Sequence, residues 1–117
     1  MAAFKLNLKI DQGATFDQLV TWKTGTPPAA VNLTGCTARM QVRGKLADTV
    51  VLLNLATPTG IVLGGAAGTV TIKLTAAQTA AITWLAAVYD LEIVFADGTV
   101  RRLLAGSVVV SPEVTRV

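Results

Sequence analysis

Tyr89-Asp-Leu-Glu-Ile-Val-Phe-Ala-Asp-Gly-Thr-Val-Arg-Arg-Leu-Leu-Ala-Gly-Ser-Val-Val-Val110 carries the decisive pattern of this chain. Tyr89, Leu91, Ile93 and Phe95 alternate with Asp90, Glu92 and Val94. Side chains of a strand point to opposite faces in turn, so a period of two predicts a half-buried strand. Asp97-Gly98 predicts a hairpin turn, because glycine tolerates the positive φ such turns require. Thr99 to Val110 is then the return strand, Pro112 ends it, and Glu113 to Val117 is a tail.

The same period runs outward from this hairpin. Phe4, Leu6, Leu8 and Ile10 alternate with Lys5, Asn7 and Lys9, and Asp11-Gln-Gly13 breaks the run. Ala14 to Trp22 predicts a second strand, with Phe16, Val20 and Trp22 on one face. Lys23 to Asn32 reads as a loop, since Gly25, Pro27 and Pro28 do not suit a central strand. Ala38, Met40 and Val42 alternate with Arg39, Gln41 and Arg43 in a third strand, followed by a turn from Gly44 to Asp48. Val50 to Leu55 reads as a short buried strand, Thr57 to Gly60 as a turn, and Ile61 to Leu63 as another short strand. Gly64, Gly65 and Gly68 mark a flexible turn before Val70, Ile72 and Leu74 resume the alternation.

Thr75-Ala-Ala-Gln-Thr-Ala-Ala-Ile82 departs from the β pattern. Thr75 is a good N-cap, Gln78 stands at capping-box distance, and alanine favours helix, so one short helix is expected near residues 75–82. About eight short strands punctuated by turns predict a mostly-β fold: an antiparallel two-sheet β-sandwich, Ig-like or jelly-roll-like, with that one helix. Residues 1–117 are read as one such domain. The longest uncharged stretch, Leu74 to Tyr89, falls short of the roughly 20 residues of a membrane helix and reads as a helix followed by a strand. Lys5 and Lys9 interrupt the apolar region a signal peptide would need. No membrane partner is expected.

Composition restricts function. There is no histidine, which removes the commonest general base and metal ligand. Cys36 is alone, read as a buried or half-buried thiol in a strand; a four-ligand zinc site is excluded. The two serines, Ser107 and Ser111, lie in no nucleophile-elbow motif. Gly64 to Gly68 lacks the Lys-Ser/Thr of a phosphate loop. Asp90 and Glu92 share one strand face; such a pair can serve hydrolysis or hold calcium, or simply pair with Arg101 or Arg102 across the hairpin. The ten basic residues are scattered, which predicts no nucleic-acid partner. The expectation is no enzyme, no cofactor and no metal.

Binding of other proteins is what remains. Charged residues are 15% of the chain against 52% hydrophobic, sparse in charge for a free domain. Candidate interface residues are Trp22, Pro27 and Pro28 at the stiff loop, Arg101 and Arg102 on the hairpin, and Glu113, Val114, Thr115 and Arg116 in the tail. Trp22 and Trp84 are equally read as core residues. The competing readings are a soluble carbohydrate- or ligand-binding β-sandwich, for which an aromatic content of 5% is low, and a small enzyme on a β scaffold.

Two motifs carry a resemblance. The ending from Tyr89 to Arg116 has an aromatic-Asp-Leu-Glu strand, an Asp-Gly hairpin, an Arg-Leu-Leu-x-Gly strand and a Ser-Pro-Glu-Val-Thr-Arg close. It resembles a family of small proteins encoded among tailed-phage structural genes. Gln12 to Phe16 and Val31 to Arg43 resemble the N-terminal domain of phage upper-baseplate proteins. The resemblance implies a β-sandwich with partner-binding edges in the virion: a tail, baseplate, neck or head-decoration subunit. Its expected partners are other phage structural proteins and further copies of itself in a symmetric assembly.

Overall fold

The computed structural model describes residues 3–115. Eleven strand segments and one short α-helix follow each other in the order β1 (Phe4–Lys5), β2 (Leu8–Asp11), β3 (Phe16–Thr21), β4 (Lys23–Thr24), β5 (Ala29–Ala30), β6 (Thr37–Arg43), β7 (Leu53–Ala56), β8 (Ile61–Leu63), β9 (Thr69–Leu74), α1 (Ala76–Ala80), β10 (Ala86–Val94) and β11 (Val100–Ser111). The larger sheet runs β1-β11-β10-β6-β7, with β2 also on β11; the smaller runs β3-β9-β8. The fold is a mostly-β sandwich with one short helix.

Alternation decides what each strand buries. Ala87, Tyr89, Leu91 and Ile93 of β10 face inward beside Ala38, Met40 and Val42 of β6. Val70, Ile72 and Leu74 of β9, with Ile61 of β8, close the core from the other sheet. Burying each Leu, Ile or Val fully is worth about 1.5–3 kcal/mol, so these facing rows hold the layers together. The β10–β11 turn uses Gly98 at φ +90°, with Gly98 N–H donating to Phe95 O at 2.9 Å and Thr99 N–H to Asp97 Oδ1 at 2.8 Å. Helix α1 carries the capping box: Gln78 N–H donates to Thr75 Oγ1 at 3.1 Å, and Thr75 N–H to Gln78 Oε1 at 2.8 Å.

The structure corrects several expectations. The N-terminal strand is not continuous: it breaks at Leu6-Asn7 into β1 and β2. Both segments pair with β11 in parallel, not antiparallel, Phe4 beside Leu104 and Ile10 beside Val110. No tight turn joins these two ends of the chain, so nothing local imposes an antiparallel sense. Register shifts between Leu91 and Glu92, which face Leu104 and Arg102; the bulge lets adjacent Leu103 and Leu104 both be buried. The run Val50 to Leu55 pairs only from Leu53, and Val50 is exposed. The loop from Lys23 to Asn32 contains its own small ladder, β4 against β5. Gly65–Ala67 forms one turn of 3-10 helix where a flexible turn is expected. Cys36 is half-buried, but in the turn before β6 rather than in a strand. Trp84 packs against the core from a partly exposed position.

Candidate functional site

The residues singled out for binding fall at two opposite ends of the sandwich. Trp22 leads into the β4–β5 loop and meets Phe95, at the start of the β10–β11 turn, with ring centroids 6.0 Å apart. That contact brings the loop carrying Pro27 and Pro28 to the same end as the hairpin carrying Arg101 and Arg102. The tail leaves the far end of β11, whose twelve residues span roughly 35–40 Å. Pro27 and Pro28 are exposed. Arg102 lies opposite Glu92 and Arg101 opposite Ile93. Glu113 is half-buried, whereas Val114 and Thr115 are exposed. Arg116 lies outside the described residues.

Trp22 is not a surface anchor. Its side chain is 5% exposed and belongs to the core, because the alternation of β3 turns it inward with Phe16 and Val20. Its Nε1 is buried without a hydrogen-bond partner.

The tail end is built around Gln12. Its Nε2 donates to Ile82 O at 2.9 Å, and its Oε1 accepts from Glu113 N–H at 2.9 Å. Next to it, Gly13 N–H donates to Thr79 Oγ1 at 3.0 Å, and the Thr79 hydroxyl reaches Ala14 O at 2.8 Å. Thr79 is fully buried, so these bonds are its means of satisfaction. Gly13 has φ +84°, and a Cβ there would run into the Glu113 carboxylate. Gln12-Gly13, the helix and the Pro-Glu of the ending thus meet in one knot. Within the tail read from Glu113 onward, Glu113 is thus held by the domain, whereas Val114 and Thr115 are exposed. Sequence reasoning does not reach Gln12 and Thr79, because the spacing of 67 residues between them gives no signal; the Gln-Gly-Ala-Thr motif is the one visible trace.

The outer face of the larger sheet gathers the charges. Arg39 Nε meets Glu92 Oε1 at 2.8 Å, and Arg102 Nε stands 3.5 Å from Asp90 Oδ2. Asp90 therefore pairs across the hairpin, whereas Glu92 turns to β6. Arg43 donates to Gln41 Oε1 at 2.8 Å and to Asp48 O at 2.7 Å, fastening the turn after β6. A depression of about 550 Å³ lies here, lined by Gln41, Arg43, Asp90 and Arg102 among others. At the hairpin, the Thr99 backbone hydrogen bond, helped by the Thr99 side chain and Arg101, holds the Asp97 carboxyl below its usual range. Burial, with Asp97 nearby, pushes the Cys36 thiol up. Among the described residues no three His, Cys, Asp or Glu side chains are grouped to hold a metal ion, and no helix is long and apolar enough to cross a membrane.

The model of the LtfC-like β-sandwich domain matches residues 3–111. The chain belongs to the LtfC-like family. The LtfC-like match spans nearly all of the sandwich, from before β1 to the last residue of β11. A comparison with curated proteins finds no match.

Proposed function

We propose that this LtfC-like domain is a non-enzymatic structural or adaptor subunit of a phage virion, in tail, baseplate, neck or head decoration, and that it works by binding other virion proteins. The reading is carried by the match of an LtfC-like β-sandwich domain to residues 3–111, taken with the resemblance of the Tyr89–Arg116 ending to tailed-phage structural proteins. The architecture supports it: open strand edges accept neighbouring strands. Its surface carries several exposed large apolar side chains, Leu46, Leu85, Val109 and Val114 among them. A sugar-binding module is supported less. The aromatic residue lining the outer depression, Tyr89, is 5% exposed, so it offers no open ring face for stacking.

The test is electron microscopy of purified phage particles carrying a label on this protein. Label at one defined position of the particle supports the reading. Particles that lack the protein, together with saturable binding of a soluble glycan by the isolated domain, overturn it in favour of the ligand-binding module.

A further inference from the structure

Open edges in this sandwich are unequally protected. At one margin of the larger sheet, β1 and β2 are interrupted at Leu6-Asn7 and present exposed Lys5 and Lys9. At the other margin β7 has four residues, and in the smaller sheet β8 has three and begins beside the Ala56–Gly60 bridge. Short, broken or lysine-bearing strands are the usual protection against strand addition. β3 itself has none of these features, and the lysine that continues its edge, Lys23, lies beyond it in β4. β3 runs six residues from Phe16 to Thr21, in unbroken register with β9 on one side, without Lys, Pro or Gly.

The direction of its free groups follows from the pleat. Trp22 N–H donates to Gly68 O at 2.8 Å, and Trp22 O accepts from Val31 N–H at 2.9 Å. Even-numbered residues therefore bond towards β9 and β5, and Asp17, Leu19, Thr21 and Lys23 turn their N–H and C=O to the open side. Among the described residues, the Gln18 Nε2 donation to Leu19 O at 3.3 Å is the bond that reaches this row. The side chains of the same four residues are exposed on the outer face. Asp17 stands at one end of the row and Lys23 at the other, and neither belongs to an ion pair among the described residues.

We propose that β3 is the edge along which a second copy of this chain docks, antiparallel about a two-fold axis at Val20, with Asp17 of each copy opposite Lys23 of the other. This inference rests on the protein-binding reading above and names the partner. The axis pairs Leu19 with Thr21 of the second copy as well, so all four outward residues fall in pairs that exchange both backbone hydrogen bonds. Charge selects this register. Shifting it by two residues one way sets Asp17 against Thr21, and the other way sets Lys23 against Leu19 and Asp17 beyond the strand; a parallel alignment sets like charges side by side. Leu19, 60% exposed, gains its own counterpart as a diagonal neighbour.

Sedimentation equilibrium of the isolated domain, from about 10 μM to about 1 mM, tests it in the range where a small edge-to-edge interface associates. The mass is expected to rise from 12.1 kDa towards twice that value. Asp17→Lys and Lys23→Asp each weaken association about tenfold through like-charge opposition at two symmetric pairs, and the double charge swap restores it. Far-UV circular dichroism of each variant is expected to stay that of the native fold, since both side chains are exposed. A monomer throughout overturns the inference, as does a double swap no tighter than the single variants. A monomeric domain that is nonetheless found in particles leaves the virion reading standing and removes self-docking; a dimer never found in particles does the reverse.

Discussion

Tyr89 Oη donates a 2.6 Å hydrogen bond to the carbonyl of Leu6, 83 residues away, at the break between β1 and β2. The strand breaks there because its backbone turns aside. Leu6 N–H still bonds to Ala105 O at 3.0 Å, but Ser107 N–H is met by the Asn7 side chain, Oδ1 at 3.1 Å. The displaced Leu6 carbonyl finds the buried tyrosine instead. The aromatic and the glycine of the C-terminal motif thus have a common purpose, to seat the N-terminal strand on β11.

Tyr89→Phe is expected to lower stability by about 1–2 kcal/mol in urea unfolding at neutral pH, since the Leu6 carbonyl loses its donor. The two proteins also differ in alkali. Burial pushes the Tyr89 hydroxyl up to about 12, above the ordinary tyrosine value near 10. The folded state therefore keeps a proton that the unfolded chain releases first. This contribution is complete below pH about 10 and is lost as pH rises towards about 12. The wild-type melting temperature should fall more steeply over that window than that of Tyr89→Phe; parallel curves would sink the assignment.

Gly106→Ala tests the seat itself. A Cβ on Gly106 would collide with the Leu6 carbonyl oxygen and lie 2.9 Å from Asn7 Oδ1. Backbone cannot step aside as a flexible side chain can, so a cost of about 1–3 kcal/mol is expected. Hydrogen exchange should localise the loss to Phe4–Asp11, and protection there equal to wild type would contradict the packing described.

Thr79→Val removes a fully buried hydroxyl and leaves Gly13 N–H and Ala14 O unpaired. The expected cost is about 1–3 kcal/mol. Gln78→Ala opens the exposed capping box of the same helix and should cost about 1 kcal/mol or less. Chemical denaturation of the two variants therefore ranks the buried knot above the cap; the opposite order would mean that α1 stands by its own cap.

Glu92→Gln breaks the Arg39 ion pair on the outer face, where the two side chains are 56% and 29% exposed. A change below about 1 kcal/mol is expected, shrinking further at 1 M salt. A larger, salt-insensitive loss would show that this face is less solvated than its exposure indicates.

The inward faces of β6 and β10, the Asp97-Gly98 turn and the Thr75–Gln78 capping box could all be read along the chain. Each depends on residues within a few positions of one another: side chains alternate with the pleat, glycine supplies a positive φ, and a cap spans three residues. The charge row Asp90/Glu92 was legible for the same reason, though not that Glu92 would choose Arg39 over the hairpin arginines. The break at Leu6-Asn7, the parallel seat on β11, the bulge that buries Leu103 with Leu104, and the Gln12–Thr79–Glu113 knot were settled by packing across the whole domain. Backbone N–H and C=O groups are alike at every residue, so a strand's sequence says which face is apolar but not which distant strand will take its hydrogen bonds. Trp22 shows the same division: beside a Gly/Pro loop it reads as core first with anchor as the alternative, and the arrival of Phe95 from 73 residues away places it inside.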